Sequence, residues 1–409
     1  MKNINKFLFI SLFTAVSSAQ ALPIILGADL VGLTVFSNTY TSTGANSIVH
    51  GSMLGGDVTS TGANAVVHGD VTSVGATNLG GGMSVVNGDI VSGGVLTVGG
   101  ATGGVSPGPI VTGSITSAGA STIGASALIG GDMLSGGVAT TGANSLVEGS
   151  IRSNGVATAG DNGDVTGDVS SGGFATIGAN SDIGGNVDGA GLVYTNVISA
   201  SATVGSENNV IDLPDLSAVR TNVTTEAQQV TAAQTALFGM GSGTGLAATS
   251  TVDTTLFPGI YSAASFSTTA GTTLTLDGLG RDDQSWVFNI TDILAFGGVS
   301  TVEVVNIGVN ASVYWNSHAG YITTGAGSNV VGTLLAHTYI SVGAHSIVSD
   351  IGTSCGAVYS ATSYVTAGDS AEIGGLGCAS VPEPASALLL GFGLFGLFGL
   401  AGIARRKKV

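Results

Sequence analysis

From Tyr40 to Val197 the chain repeats one unit of eighteen residues, and that period decides what it can fold into. Gly113, Gly131, Gly149, Gly167 and Gly185 stand eighteen residues apart, as do Gly51 and Gly69, with Gly88 one residue late. Two residues before these glycines lies a β-branched residue (Val49, Val67, Val86, Val111, Ile129, Val147, Val165, Ile183). Two residues after lies an apolar one, such as Met53, Ile115 or Val169. Apolar positions thus alternate with small or polar ones, the pattern of a strand with one buried face. Further glycines follow at about six and eleven residues, Gly137 and Gly142 in one unit, Gly155 and Gly160 in the next. They mark corners, because glycine accepts the backbone angles of a sharp turn. Three short strands and three corners per unit predict a triangular β-solenoid. A single coil cannot bury its own apolar stripe, so coils must stack. About eight coils at the inter-strand spacing would make a rod roughly 40 Å long.

Glycine makes up 68 of 409 residues, but not every third one, which excludes collagen. Regular apolar periodicity at 8 % charged residues argues against disorder. Between Leu22 and Val381 only Arg152, Arg220 and Arg281 oppose 24 acids, leaving that body at −21. Such a surface repels nucleic acid and anionic membranes.

The ends read as addresses. Lys2 and Lys6 precede an apolar run, and Ala19-Gln20-Ala21 offers a small-x-small cleavage site, so residues 1–21 are expected to be a secretory signal peptide. At the other end Pro382-Glu383-Pro384 precedes an apolar segment, 387–404, followed by Arg405, Arg406, Lys407 and Lys408. Eighteen residues span about 27 Å as a helix, enough for a bilayer core, and the basic tail would stay cytoplasmic. Residues 381–409 resemble the PEP-CTERM sorting signal of Gram-negative bacteria. That resemblance implies recognition by an exosortase, an inner-membrane anchor that is temporary, and a body at the cell surface or secreted. Cys355 and Cys378 are the only cysteines. Outside the cytoplasm a single disulfide is the natural reading, closing a loop whose constraint is worth about 3 kcal/mol.

After the repeats the period changes. Leu216, Val219, Val223, Ala227, Val230, Ala233 and Leu237 recur at steps of three and four, predicting an amphipathic helix within 208–240, opened by Pro214 and Asp215 and stopped at Gly239. Strand patterns resume at Gly259 and include Trp286-Val287-Phe288, Val313-Tyr314-Trp315 and Gly332-Thr333-Leu334-Leu335. Helix and segments together, with the opening 25–56, resemble the ice-binding-like family of discontinuous β-solenoid antifreeze proteins. The resemblance implies a solenoid with a long helix beside it and ice as the partner; no cofactor is assigned. The coils between Tyr40 and Val197 stand as an insertion. The expected division is an N-terminal solenoid over 22–200, the helix, and a C-terminal solenoid over 241–380.

Thr43-Gly44-Ala45-Asn46, Thr61-Gly62-Ala63-Asn64 and Thr141-Gly142-Ala143-Asn144 share one position in the repeat. Thr43, Asn46, Thr61, Asn64, Thr141 and Asn144 fit the pattern of ice-binding faces in that family. Stacking would space them ~4.8 Å apart. A solenoid corner fits these residues somewhat better, since Asn tolerates the left-handed conformation and glycine corners recur throughout repeat proteins. Asp70, Asp89, Asp132 and Asp168 follow the repeat glycines, with Ser114, Ser150 and Asn186 interleaved. A Ca²⁺ ladder is conceivable, but serine interrupts it and turn residues fit better. His50 and His68 are succeeded by Asn87 and Thr112, and no metal is assigned. No nucleophile motif with a base is visible, so an enzyme is not expected. Two functions remain: an exported ice-binding protein, or a structural or adhesive protein of the exopolysaccharide matrix.

Overall fold

The computed structural model describes residues 26–101, 108–190, 193–195, 215–351 and 356–375. The signal peptide, Cys355, Cys378, the Pro382-Glu383-Pro384 motif and the apolar segment 387–404 lie outside the described residues. Among those described, no helix is long and apolar enough to cross a membrane.

Short strands form three parallel sheets of 15, 15 and 14 strands, one strand per sheet in each complete coil. Coils 1 to 9 run over residues 33–195 and coils 10 to 15 over residues 244–373. Their spatial order differs from chain order. Coil 1 sits mid-rod, and coils 2 to 9 stack away from it to one end. The chain then restarts at the opposite end with coil 10 and stacks back until coil 15 meets coil 1. The two solenoid segments expected from sequence therefore form one rod, about 70 Å long at the strand spacing, of which coils 1 to 9 take up the roughly 40 Å expected of the repeats. Their seam is an ordinary coil stack, with Val35 beside Val358, Thr41 beside Val365 and Ile48 beside Glu372. Tyr40 stacks on Tyr364 at 4.8 Å, and the row continues through Tyr339 and Tyr321 at 5.0 and 4.5 Å.

Each coil alternates as the repeat requires. In coil 6, Met133, Ala139 and Val147 point inward and are buried, while Leu134, Thr140 and Leu146 between or beside them reach the surface. The corner after the second strand needs two special residues. A Cβ on Gly142 would come within 2.5 Å of the Ala125 nitrogen of the coil beside it. Asn144, two residues on, holds a φ of 55°, with Asn46 at 55° and Asn64 at 58°. Ser145 Oγ closes this corner by donating to the Gly142 carbonyl at 2.7 Å. Coils 11 to 13 are wider and fill their centre with aromatics, Phe288 stacking on Trp315 at 3.9 Å.

One helix, α1 (Thr224–Phe238), lies on the first sheet. Val230 and Leu237 join Phe36, Leu54, Val287, Leu335 and Tyr359 in a second apolar cluster outside the rod. Asn316 Nδ2 donates to the Gln234 carbonyl at 2.9 Å, and Asn289 Nδ2 to the Leu237 carbonyl at 2.6 Å, which ties down the helix C-terminus. The helix is shorter than its apolar stripe suggests. Ser217 N–H is held by Asp215 Oδ1 at 2.9 Å and Val219 N–H by the Leu216 carbonyl, so this stretch turns. Asn222 Oδ1 accepts the Thr224 N–H at 3.2 Å, and the helix starts there. Leu216 and Val219 thus lie outside it, on a strap along the N-terminal coils. A Cβ on Gly136 would meet Leu216 at 2.9 Å, and one on Gly56 would meet Val223 at 2.8 Å.

Candidate functional site

The helix covers part of the first sheet, and the remaining two faces differ in chemistry. In coils 1 to 6 the third sheet turns outward a column of half-buried aliphatics, among them Ile48, Val66, Leu128 and Leu146, followed by exposed Asp164 and Asp182. Across the seam the column is mixed, running through Glu372, Ile347, Asn329, Thr301 and Thr273. Its pairing shifts register between Asp277 and Arg281. The first sheet shifts between Leu33 and Val35. The second sheet pairs in register throughout its described strands.

In coils 1 to 8 and 11 to 15 the middle residue of each second-sheet strand points outward, with Thr249 continuing the row in coil 10, and the column is almost entirely hydroxylic. Thr176, Thr158, Thr140, Thr122 and Thr97 occupy coils 8 to 4, followed by Asn78, Ser60 and Ser42. Across the seam it continues through Thr366, Ser341 and Thr323. Ala295 is the one residue without a polar side chain before Ser267 and Thr249. All are at least partly exposed. Beside this column runs another of Val156, Val138, Ala120 and Val95 in coils 7 to 4, replaced by the tyrosine row near the seam. Stacking puts equivalent hydroxyls and methyls about 4.8 Å apart on a face that the strand ladders hold rigid.

This geometry moves the threonines expected from sequence. Thr43, Thr61 and Thr141 are only 4, 4 and 3 % exposed, and their side chains face the interior. Thr43 Oγ1 has no hydrogen-bond partner among the described residues. The outward residues are their predecessors, Ser42, Ser60 and Thr140. A side chain on a strand faces opposite to its neighbour, so a one-residue slip exchanges surface for core. Asn46, Asn64 and Asn144 are exposed, but in left-handed corners between the second and third sheets. Asn64 Nδ2 donates to Asn46 Oδ1 at 3.2 Å, bracing adjacent corners.

The aspartates are structural. Asp132 Oδ1 accepts the Ser150 N–H at 2.7 Å, Ser150 Oγ the Asp168 N–H at 3.1 Å, and Asp168 Oδ1 the Asn186 N–H at 2.7 Å. Each side chain satisfies the backbone donor of the next coil, and serine serves as well as aspartate, which explains the mixed column. His50 Nε2 lies 2.8 Å from Glu372 Oε1 across the seam, and its ring stacks on His68 at 5.2 Å. Burial and the neighbouring His50 hold the His68 imidazole below its usual range.

A discontinuous three-sheet parallel solenoid with a helix on one face defines the fold class. The sequence profile of the Ice-binding-like family matches residues 153–371, more than half of the chain, and the chain belongs to that family. No curated protein matches the sequence. Solved structures similar to it include a glycosylated ice-binding protein, LeIBP, from an Arctic yeast, at 17 % identity over 53 % of this chain and 91 % of that one (TM-score 0.34). Another is an ice-binding protein of the Antarctic ascomycete Antarctomyces psychrotrophicus, at 17 % identity over 62 and 92 % (TM-score 0.31). A third, from an Antarctic bacterium of the Flavobacteriaceae, matches at 13 % identity over 84 and 96 % (TM-score 0.30).

Proposed function

We propose that the protein adsorbs to ice through the outer face of its second sheet, centred on Thr97, Thr122, Thr140, Thr158 and Thr176. The observation that carries this is the in-register column of outward hydroxyls flanked by small aliphatics. Family membership supports it. Adsorption to a crystal sums many weak contacts, so a surface whose groups are already fixed loses little entropy on binding. The protein acts here as a binding protein, without cofactor or catalysis. Direct ice affinity of labelled wild type and Thr140→Tyr tests the reading: the wild type should concentrate on an ice surface and the variant should not. A folded wild type excluded from ice would favour the matrix role instead.

Export belongs to the same proposal. The N-terminal signal and the Pro-Glu-Pro, apolar and basic order of residues 381–409 support secretion, a membrane anchor at 387–404 and sorting by an exosortase. Protease added to spheroplasts should digest the rod; full protection would place it in the cytoplasm.

A further inference from the structure

The two ends of the rod are unlike. At the far end, Ile183 of coil 8 and Val187 of coil 9 are fully buried. At the other end, the inward residues Leu246 and Leu256 of coil 10 are only partly covered. A cavity of about 200 Å³ opens there, lined by Leu246, Leu256, Phe266 and Leu274. Among the described residues, the strands Thr244–Gly245, Thr249–Ser250 and Thr254–Leu256 pair on one side only, with coil 11. Val252 is 68 % exposed and Phe257 50 %. A terminal coil normally carries a polar cap, and an edge strand normally carries charge against pairing with another chain. Residues 242–258 hold a single charged group, Asp253, whose Oδ1 is engaged by the Thr273 N–H at 2.8 Å. Residues 160–190 near the far end carry five aspartates and no cation.

We infer that the coil-10 end is a dimer interface at which a second copy of this chain docks head to head. The occupant follows from charge and from the seam. A neutral apolar end meets its own copy without repulsion, whereas the acidic far ends repel one another and stop growth beyond a pair. The meeting of coils 1 and 15 shows that in this rod one coil end seals another without chain continuity. The open strands pair with the partner's edges, and Val252, Phe257 and the mouth around Leu246 are closed off. A two-fold relation of this kind closes on itself, so the product is a dimer and not a fibre. This inference does not depend on ice binding.

The test is the protein mass of the full chain in non-ionic detergent, by light scattering on a sizing column, with far-UV circular dichroism to verify folding. The wild type should be dimeric. Val252→Lys with Phe257→Lys should give monomer at the same concentration, a weakening of at least about tenfold, because both lysines sit in the joint. Val299→Lys, equally exposed but in coil 12, should leave the dimer intact, and Val252→Lys alone serves should the double variant misfold. A monomeric wild type, or a dimer that the end lysines leave unchanged, overturns the proposal, the latter assigning association to another surface.

Discussion

Replacing Val147 by aspartate tests the inward ladder. Val147 is 1 % exposed and pairs with Ile129 on one side and Val165 on the other. The Glu148 N–H is given to the Ile129 carbonyl at 2.8 Å and the Thr166 N–H to the Val147 carbonyl at 3.0 Å, so these donors are not free for a carboxylate. Removing the buried valine costs about 1.5–3 kcal/mol. Holding aspartate protonated at pH 7, roughly three units above its ordinary pKa, costs about 4 kcal/mol more. A loss of about 5–7 kcal/mol should fall first on coils 5 to 7, because a solenoid couples only nearest neighbours. Urea unfolding followed by circular dichroism should shift strongly. The fluorescence of Trp286 and Trp315, in coils 12 and 13, should shift less. The penalty arises above the unfolded aspartate pKa, so lowering pH from 7 to 4 should restore part of the stability. The adjacent Leu146→Asp, on the outer face, should cost about 1 kcal/mol. Equal midpoints for wild type and Val147→Asp, or equal losses for both variants, would refute the inward assignment.

Other consequences are as specific. Thr43→Val removes a buried hydroxyl without a partner among the described residues and should leave stability within about 1 kcal/mol of wild type or raise it, with ice activity unchanged, as read by urea midpoint and thermal hysteresis. Asp132→Ala strands the Ser150 N–H, costing about 1–3 kcal/mol, whereas Asp132→Ser should recover most of that because serine holds this position in neighbouring coils. Both variants lose the solvent-facing 3.1 Å contact to Arg152, which contributes little. His68 prefers its neutral form in the fold, so its contribution is present above the ordinary imidazole pKa and is lost as pH falls below it; His68→Asn should flatten that part of the stability profile between pH 8 and 5.

The period of eighteen was enough to read coils, corners and the inner ladder, since one apolar residue two positions either side of a glycine repeats in every unit. It was not enough to read which threonines face out. In Thr41-Ser42-Thr43 and Thr59-Ser60-Thr61 every residue is hydroxylic, and alternation leaves no mark. The signal lay in other coils: Leu96-Thr97-Val98 and Ala175-Thr176-Ile177 put the aliphatics inside and the threonine outside, and alignment carries that parity to all units. The order of stacking left almost no trace, because coil 15 meets coil 1 across more than three hundred residues of sequence; Tyr40 and Tyr364 are one hint of it. The apolar stripe overstates the helix because Leu216 and Val219 are apolar for the strap they form, at a spacing that a helix would also use.

The central claim is that the second sheet, and no other face, meets ice. Thermal hysteresis of the wild type beside Thr140→Tyr, Thr158→Tyr and Leu146→Tyr tests it most directly. The first two place a ring in the hydroxyl column, while the third places the same ring on the third sheet of coil 6. Both threonine variants should lose most of their activity at unchanged thermal stability, and Leu146→Tyr should keep it. Activity that survives at Thr140 and Thr158 but fails at Leu146 would contradict the account and move ice to the third sheet.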